Sequence, residues 1–401
     1  FRVCLVVLFL ALFWRSGKPV AGMEALPQQT SPITVTAAAV EYHFGQQAVF
    51  IVEASAPAGI AALYLYLQKM GDDRVEVISL PTEGGASVRA TFPRDLRLFP
   101  FPPFGEVRWW WEIRDNAGHT LTTNPSVFRY TDNRFDWFCR TVAPITACAT
   151  RDDPPYLQAA LDIAAASLNR IGHSLRVSPP DRVEIYLYPS LSDLRAALEM
   201  AGREWMGGQA RPELGVVLVA VPHDDAFVAQ MEREIPHELT HLLVYRLTGP
   251  QGYPHIPAWL NEGLAMANQA RPDPSLEAIL EEARRRGNLI PLEGLCPPFP
   301  SDPETALLAY AQSGSLVRYI RQQYGDSGIR ALLAAYADGA GCAAGIRRAL
   351  QISPEQLERA WRADLAGLSG WVHWLSENRT ALLLWGLSLL LAIPIALVGR
   401  K

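Results

Sequence analysis

A chain of 401 residues, 49% apolar, is long enough for two or three domains with sizeable cores. Thirty-six basic side chains against 41 acidic ones leave a net charge of -5. That balance argues against nucleic-acid binding, which needs a basic face, and the sequence contains no glycine-rich phosphate loop and no internal repeat.

Residues 3–14 form an unbroken apolar run. It is too short to span a bilayer comfortably and suits a signal sequence, with Val20-Ala21-Gly22 offering small residues for cleavage. Arg15 and Lys18 directly after the run leave an uncleaved N-terminal anchor as the alternative for residues 1–22. Either reading sends the domains after residue 22 out of the cytoplasm. Of the five cysteines, Cys4 lies in this segment. Cys139, Cys148, Cys296 and Cys342 allow three pairings, of which the sequence-local one joins Cys139 to Cys148 and Cys296 to Cys342. None has C-x-x-C spacing, which argues against a cysteine zinc site.

Residues 31–131 read as short strands at 33–40, 48–53, 61–67, 75–80, 87–92, 106–114 and 121–130, separated by Gly, Pro, Asp and Asn clusters. Asp115-Asn116-Ala117-Gly118 is a hairpin signal. Seven strands in about a hundred residues predict a β-sandwich of immunoglobulin or fibronectin type, acting as a spacer or interaction module. Trp109-Trp110-Trp111 reads as a strand packed on both faces rather than a carbohydrate platform.

Residues 132–151 read as a connector. Asp152-Asp153-Pro154-Pro155 caps a helix through about Ile171, residues 182–188 are a strand, 190–201 a helix and 215–221 a second strand. This last strand is expected to be the edge that lines a cleft and holds an extended peptide by β-addition.

His237-Glu238-Leu239-Thr240-His241 then reads H-E-x-x-H. On a helix the two imidazoles project from one face and can share one ion, with Glu238 beside them to polarise a water. Pro236 costs about 3 kcal/mol inside a helix, so the helix is expected to start or kink there and to stop at Gly249-Pro250. A second helix begins at Pro257. A catalytic zinc takes three protein ligands and a water. Val244 and Leu247 stand where a metzincin carries its glycine and third histidine, which excludes that class. Glu262, on the next helix, fits a glutamate ligand instead. His255 reads as a loop residue.

H-E-L-T-H followed by Trp259-Leu260-Asn261-Glu262-Gly263-Leu264-Ala265 resembles the peptidase MA-like family of gluzincins, relatives of thermolysin and aminopeptidase N. The resemblance runs from about Asp152 to Leu365 and includes residues 288–295, 308–320, Tyr324-Gly325 and Trp361-Arg362. It implies His237, His241 and Glu262 as ligands of one zinc ion and Glu238 as general base. It also suggests Tyr310 as the donor to the developing oxyanion. Met266 stands where thermolysin carries an acid that orients a ligand histidine, so Asn261 or another side chain must take that task.

Residues 380–398 carry no charge, are long enough to span a bilayer, and are followed by Gly399-Arg400-Lys401. The expected architecture is α+β: a signal or anchor at 1–22, a sandwich at 31–131, a gluzincin-like domain at 150–367 and a transmembrane helix at 380–398. The expected function is a single-pass, membrane-anchored zinc metallopeptidase acting on peptides or proteins outside the cytoplasm, with no nucleic-acid partner. The rival is a surface binding or adhesion protein whose peptidase-like domain has lost turnover. An intramembrane protease is disfavoured because the motif is flanked by Glu232, Arg233 and Glu234 and lies far from the apolar span.

Overall fold

The computed structural model describes residues 32–198 and 207–367. The segments at 1–22 and 380–398 lie outside the described residues. Among the described residues, no helix is long and apolar enough to cross a membrane.

Two antiparallel sheets form first. Strands β1 (Thr34–His43), β2 (Gln47–Ser55) and β5 (Ser87–Asp95) pair in the order β1-β2-β5. Strands β3 (Ile60–Lys69), β4 (Val75–Leu80), β6 (Glu106–Asp115) and β7 (Thr120–Thr122) pair in the order β4-β3-β6-β7, and β8 (Ser126–Arg129) pairs with β6. The predicted last strand is thus two short ones, interrupted at Asn124-Pro125, because proline cannot donate to a ladder. Alternation along the strands sends Phe50, Val52, Leu63, Leu65, Trp109 and Trp111 into a shared core. Phe50 meets Trp109 edge-on across the two sheets, with ring centroids 5.6 Å apart. The pleat turns Trp110 outward, where it stacks on Tyr66 at 5.1 Å beneath the Arg108 guanidinium.

Residues 132–151, expected as a connector, form a hairpin: β9 (Phe138–Val142) and β10 (Ile145–Ala149). Cys139 and Cys148 are register partners across it and are disulfide-bonded. The turn lies between two very short strands, which is why no periodicity announces them. Strands β10, β11 (Val183–Tyr188) and β13 (Val216–Ala220) run parallel, with β9 and β12 (Gly208–Arg211) antiparallel at the two edges. The strand expected at the edge, β13, is therefore interior and buried throughout. Its unbroken valine-rich run is what a strand covered on both faces requires. The actual edge, β12, reads Gly-Gln-Ala-Arg and carries no strand-like pattern.

Helices α1 (Pro154–Leu175) and α3 (Phe227–Gly252) cover one face of this sheet. α2 (Leu191–Leu198) and the sandwich cover the other, where Tyr186, Tyr188, Val216 and Leu218 join the sandwich core. Two buried carboxylates tie the units together. Tyr188 Oη donates to Asp132 at 3.0 Å, and Arg129 pairs with Glu184 at 2.7 Å. The remaining helices are α4 (Ala258–Ala267), α5 (Pro274–Arg286), α6 (Pro303–Ala337), α7 (Cys342–Leu350) and α8 (Pro354–Leu365).

Candidate metal centre and its cleft

The motif helix does not start at Pro236. α3 begins at Phe227 and keeps helical backbone angles through the proline, breaking only at Gly249 (φ 72°, ψ 170°), as the Gly-Pro pair predicts. Proline lacks the N–H that would bond to the Glu232 carbonyl. That carbonyl instead accepts from the Ala270 N–H at 2.9 Å, just beyond α4. The lost intrahelical bond is thereby replaced by one that joins the two helices of the site.

His237, Glu238 and His241 lie on the buried side of α3, at 5%, 1% and 5% exposure. α4 crosses back beneath them. Glu262 Oε2 lies 3.5 Å from Nε2 of His237 and 3.5 Å from Nε2 of His241. Atoms each about 2.0–2.1 Å from one tetrahedral ion are separated by roughly 3.4 Å, so two imidazole nitrogens and a carboxylate oxygen at this spacing fit a divalent cation of zinc type. The three residues form a group able to hold such an ion, with no two ligand atoms more than 4.8 Å apart. Glu262 Oε2 has no hydrogen-bond partner among the described residues, as expected of an oxygen reserved for a cation. Burial alone disfavours the Glu262 carboxylate, yet the imidazoles of His241 and His237 hold it well below the usual range. Burial would likewise push His241 down, but Glu262 outweighs it and raises that imidazole to about 9.

Asn261, raised from the sequence as the substitute for the missing acid, has its Oδ1 3.2 Å from His241 Nδ1. Its Nδ2 donates to Tyr253 Oη at 3.2 Å. In the neutral imidazole that a metal ion requires, a donating Nδ1–H leaves the Nε2 lone pair of His241 facing the site. Met266 is packed against α6, where the Cβ of an alanine in place of Gly314 would stand 2.9 Å from its own Cβ.

Glu238 Oε2 is buried without a hydrogen-bond partner among the described residues. Burial pushes this carboxyl up, opposed by the two histidines. The edge strand β12 lies directly against it, since a Cβ at Gly208 would sit 2.7 Å from Glu238 Oε1. The cleft beside the site has a volume of about 1080 Å³ and includes Glu262, Asn261, Tyr253, His255 and Tyr310 in its walls. Tyr310 also packs edge-on against Phe299 at 5.1 Å. His255 lies in the cleft wall but outside the ligand group.

Sequence reasoning missed Gly208 and Tyr253. The pair Gly207-Gly208 was the available signal for a close backbone approach, whereas nothing local distinguishes Tyr253 from any loop tyrosine.

The profile of the peptidase MA superfamily matches residues 163–367, just over half of the chain. No curated protein matches. Among solved structures, wild-type OgpA from Akkermansia muciniphila is 18% identical over 27% of this chain and 30% of that one, with a TM-score of 0.22. Catalytically inactive OgpA in complex with an O-glycopeptide substrate is 16% identical over 26% and 30%, with a TM-score of 0.21. The third fibronectin III domain of human KIAA0343 protein is 11% identical over 29% of this chain and 95% of that one, with a TM-score of 0.20. The chain thus spans about three tenths of the length of the OgpA structures it matches. The matched segment contains both histidines, the glutamate between them and Glu262 on the returning helix, and the chain belongs to the peptidase MA superfamily.

Proposed function

We propose that the protein is a zinc-dependent peptidase that hydrolyses peptide bonds. The observation that carries this reading is the convergence of two imidazoles and Glu262 at one point, with Glu238 buried beside them and a cleft alongside. His237, His241 and Glu262 would hold the ion, which supplies Lewis acidity and acidifies water when bound. Glu238 takes a proton from the attacking water and returns it to the leaving amine. Its unpaired Oε2 and its packing against β12 support that role. Among the described residues β12, rather than β13, is the edge strand on this side of the sheet, and it is the strand to align an extended substrate. Tyr310 and Tyr253 are the two phenols in the cleft wall able to donate to the developing oxyanion. Disulfides at Cys139–Cys148 and Cys296–Cys342 favour an oxidising compartment, in keeping with an extracytoplasmic, membrane-anchored enzyme.

The test is hydrolysis of a generic protein substrate by the zinc-loaded chain. Glu238→Gln is expected to retain zinc and to lose about 10²–10⁴-fold in kcat. Activity surviving both that substitution and chelation would refute the mechanism. Stoichiometric zinc without hydrolysis would favour the binding-protein reading.

A further inference from the structure

The cleft is large and, among the described residues, nearly uncharged. Its volume of about 1080 Å³ is at the upper end of pockets that hold a whole drug-sized ligand, more than one peptide side chain fills. Among the rings that line it are Tyr253 and Pro254 from the turn before α4, Pro298, Phe299 and Pro300 from the loop after Cys296, and Tyr310 from α6. Among the described residues that line it there is no Lys, Arg or Asp, and the sole acid is Glu262, which belongs to the ligand group. His255 is the other ionisable side chain, apart from the tyrosines.

This wall is held in place from several sides. The Cys296–Cys342 disulfide, with Cα atoms 6.1 Å apart, joins the proline loop to the turn that enters α7. The Cys296 carbonyl accepts from the Ala258 N–H at 3.1 Å, at the start of the helix that carries Glu262. Phe299 rests edge-on against Tyr310. A pre-formed wall of rings loses little ordering entropy on binding, whereas a charged group packed against those rings loses its water to apolar surface.

We propose that this wall is the subsite that selects substrate: it binds bulky, uncharged, ring-bearing side chains of the peptide (Phe, Tyr or Pro) and rejects Lys, Arg, Asp and Glu. The proposal rests on the peptidase reading for its substrate class, so its test reads binding rather than turnover. Zinc-loaded Glu238→Gln full-length chain would be titrated with blocked alanine peptides carrying a single Phe, Lys or Glu. The Phe peptide is expected to bind at least roughly tenfold more tightly than the other two. Adding Phe299→Ala should bring its affinity down to that of the all-alanine peptide while zinc content stays the same. Equal affinity for all peptides, no measurable binding, or an equal loss for all of them on Phe299→Ala would overturn the proposal. A wild-type chain that binds the Phe peptide selectively but cleaves nothing would refute the peptidase reading and support the subsite.

Discussion

At Asn261 one amide performs two tasks. It orients His241 through Oδ1 and anchors to Tyr253 through Nδ2. Partners of ligand imidazoles are commonly worth 10–100-fold in metal affinity. Asn261→Ala is therefore expected to weaken zinc binding by roughly that factor in a chelator competition; unchanged affinity would show that His241 is held by packing alone. His223 poses a different question, about pH. Its ring stacks on Tyr156 at 3.8 Å, and neither nitrogen has a hydrogen-bond partner among the described residues. Burial and then the Arg151 charge push its pKa below the ordinary 6.5, with Asp153 opposing them less strongly. The folded state therefore binds fewer protons than the unfolded one just below that pH. His223 contributes its stability above about 6.5 and loses it as the pH falls toward its folded-state pKa. His223→Phe keeps the stack and should flatten the acid side of a plot of Tm against pH. A variant with the wild-type slope would count against this account.

The two helices of the metal centre are held by features that their own sequences only partly disclose. α3 continues through Pro236 because Ala270 supplies the missing donor to Glu232. α4 crosses α6 closely at Gly263, where a Cβ would stand 2.5 Å from the Ser313 carbonyl oxygen and 2.7 Å from Val317. Gly263→Ala must push α4, and Glu262 with it, away from α6. The expected cost is about 1–3 kcal/mol of stability, with a parallel loss of zinc affinity. Thermal melts with and without zinc measure both. A variant that melts like the wild type and binds zinc equally well would mean that the crossing relaxes without moving the ligand.

The sandwich does not behave as a detachable spacer. Tyr186, Tyr188, Val216 and Leu218 of the peptidase sheet share its core, and Phe104 meets Tyr186 at 4.2 Å. Arg129–Glu184 crosses the same boundary inside the protein. A chain lacking residues 32–131 would expose that apolar face and leave Glu184 without Arg129. It is expected to aggregate or to bind a hydrophobic dye strongly at temperatures where the intact chain is native. A soluble, cooperatively melting fragment with full zinc affinity would show that the two units fold independently.

Much of this was legible in one dimension because it depends on short-range chemistry. H-E-x-x-H with Glu262 on the following helix points to a candidate ligand set, since helical periodicity alone brings His237 and His241 together. Alternating apolar residues bounded by turn formers identify the sandwich strands. The Gly249 break and the Asp153 cap are likewise local, with Asp153 accepting from the Tyr156 N–H at 3.1 Å. Tertiary structure alone decided which strand is the edge, because β12 is a strand only by virtue of pairing with β13. It also decided that Pro236 sits inside a helix, since its compensating donor comes from Ala270, and that Gly208 must lack a side chain to let the edge strand meet Glu238. Each of these depends on a partner distant in the chain, and no local pattern encodes the arrival of such a partner.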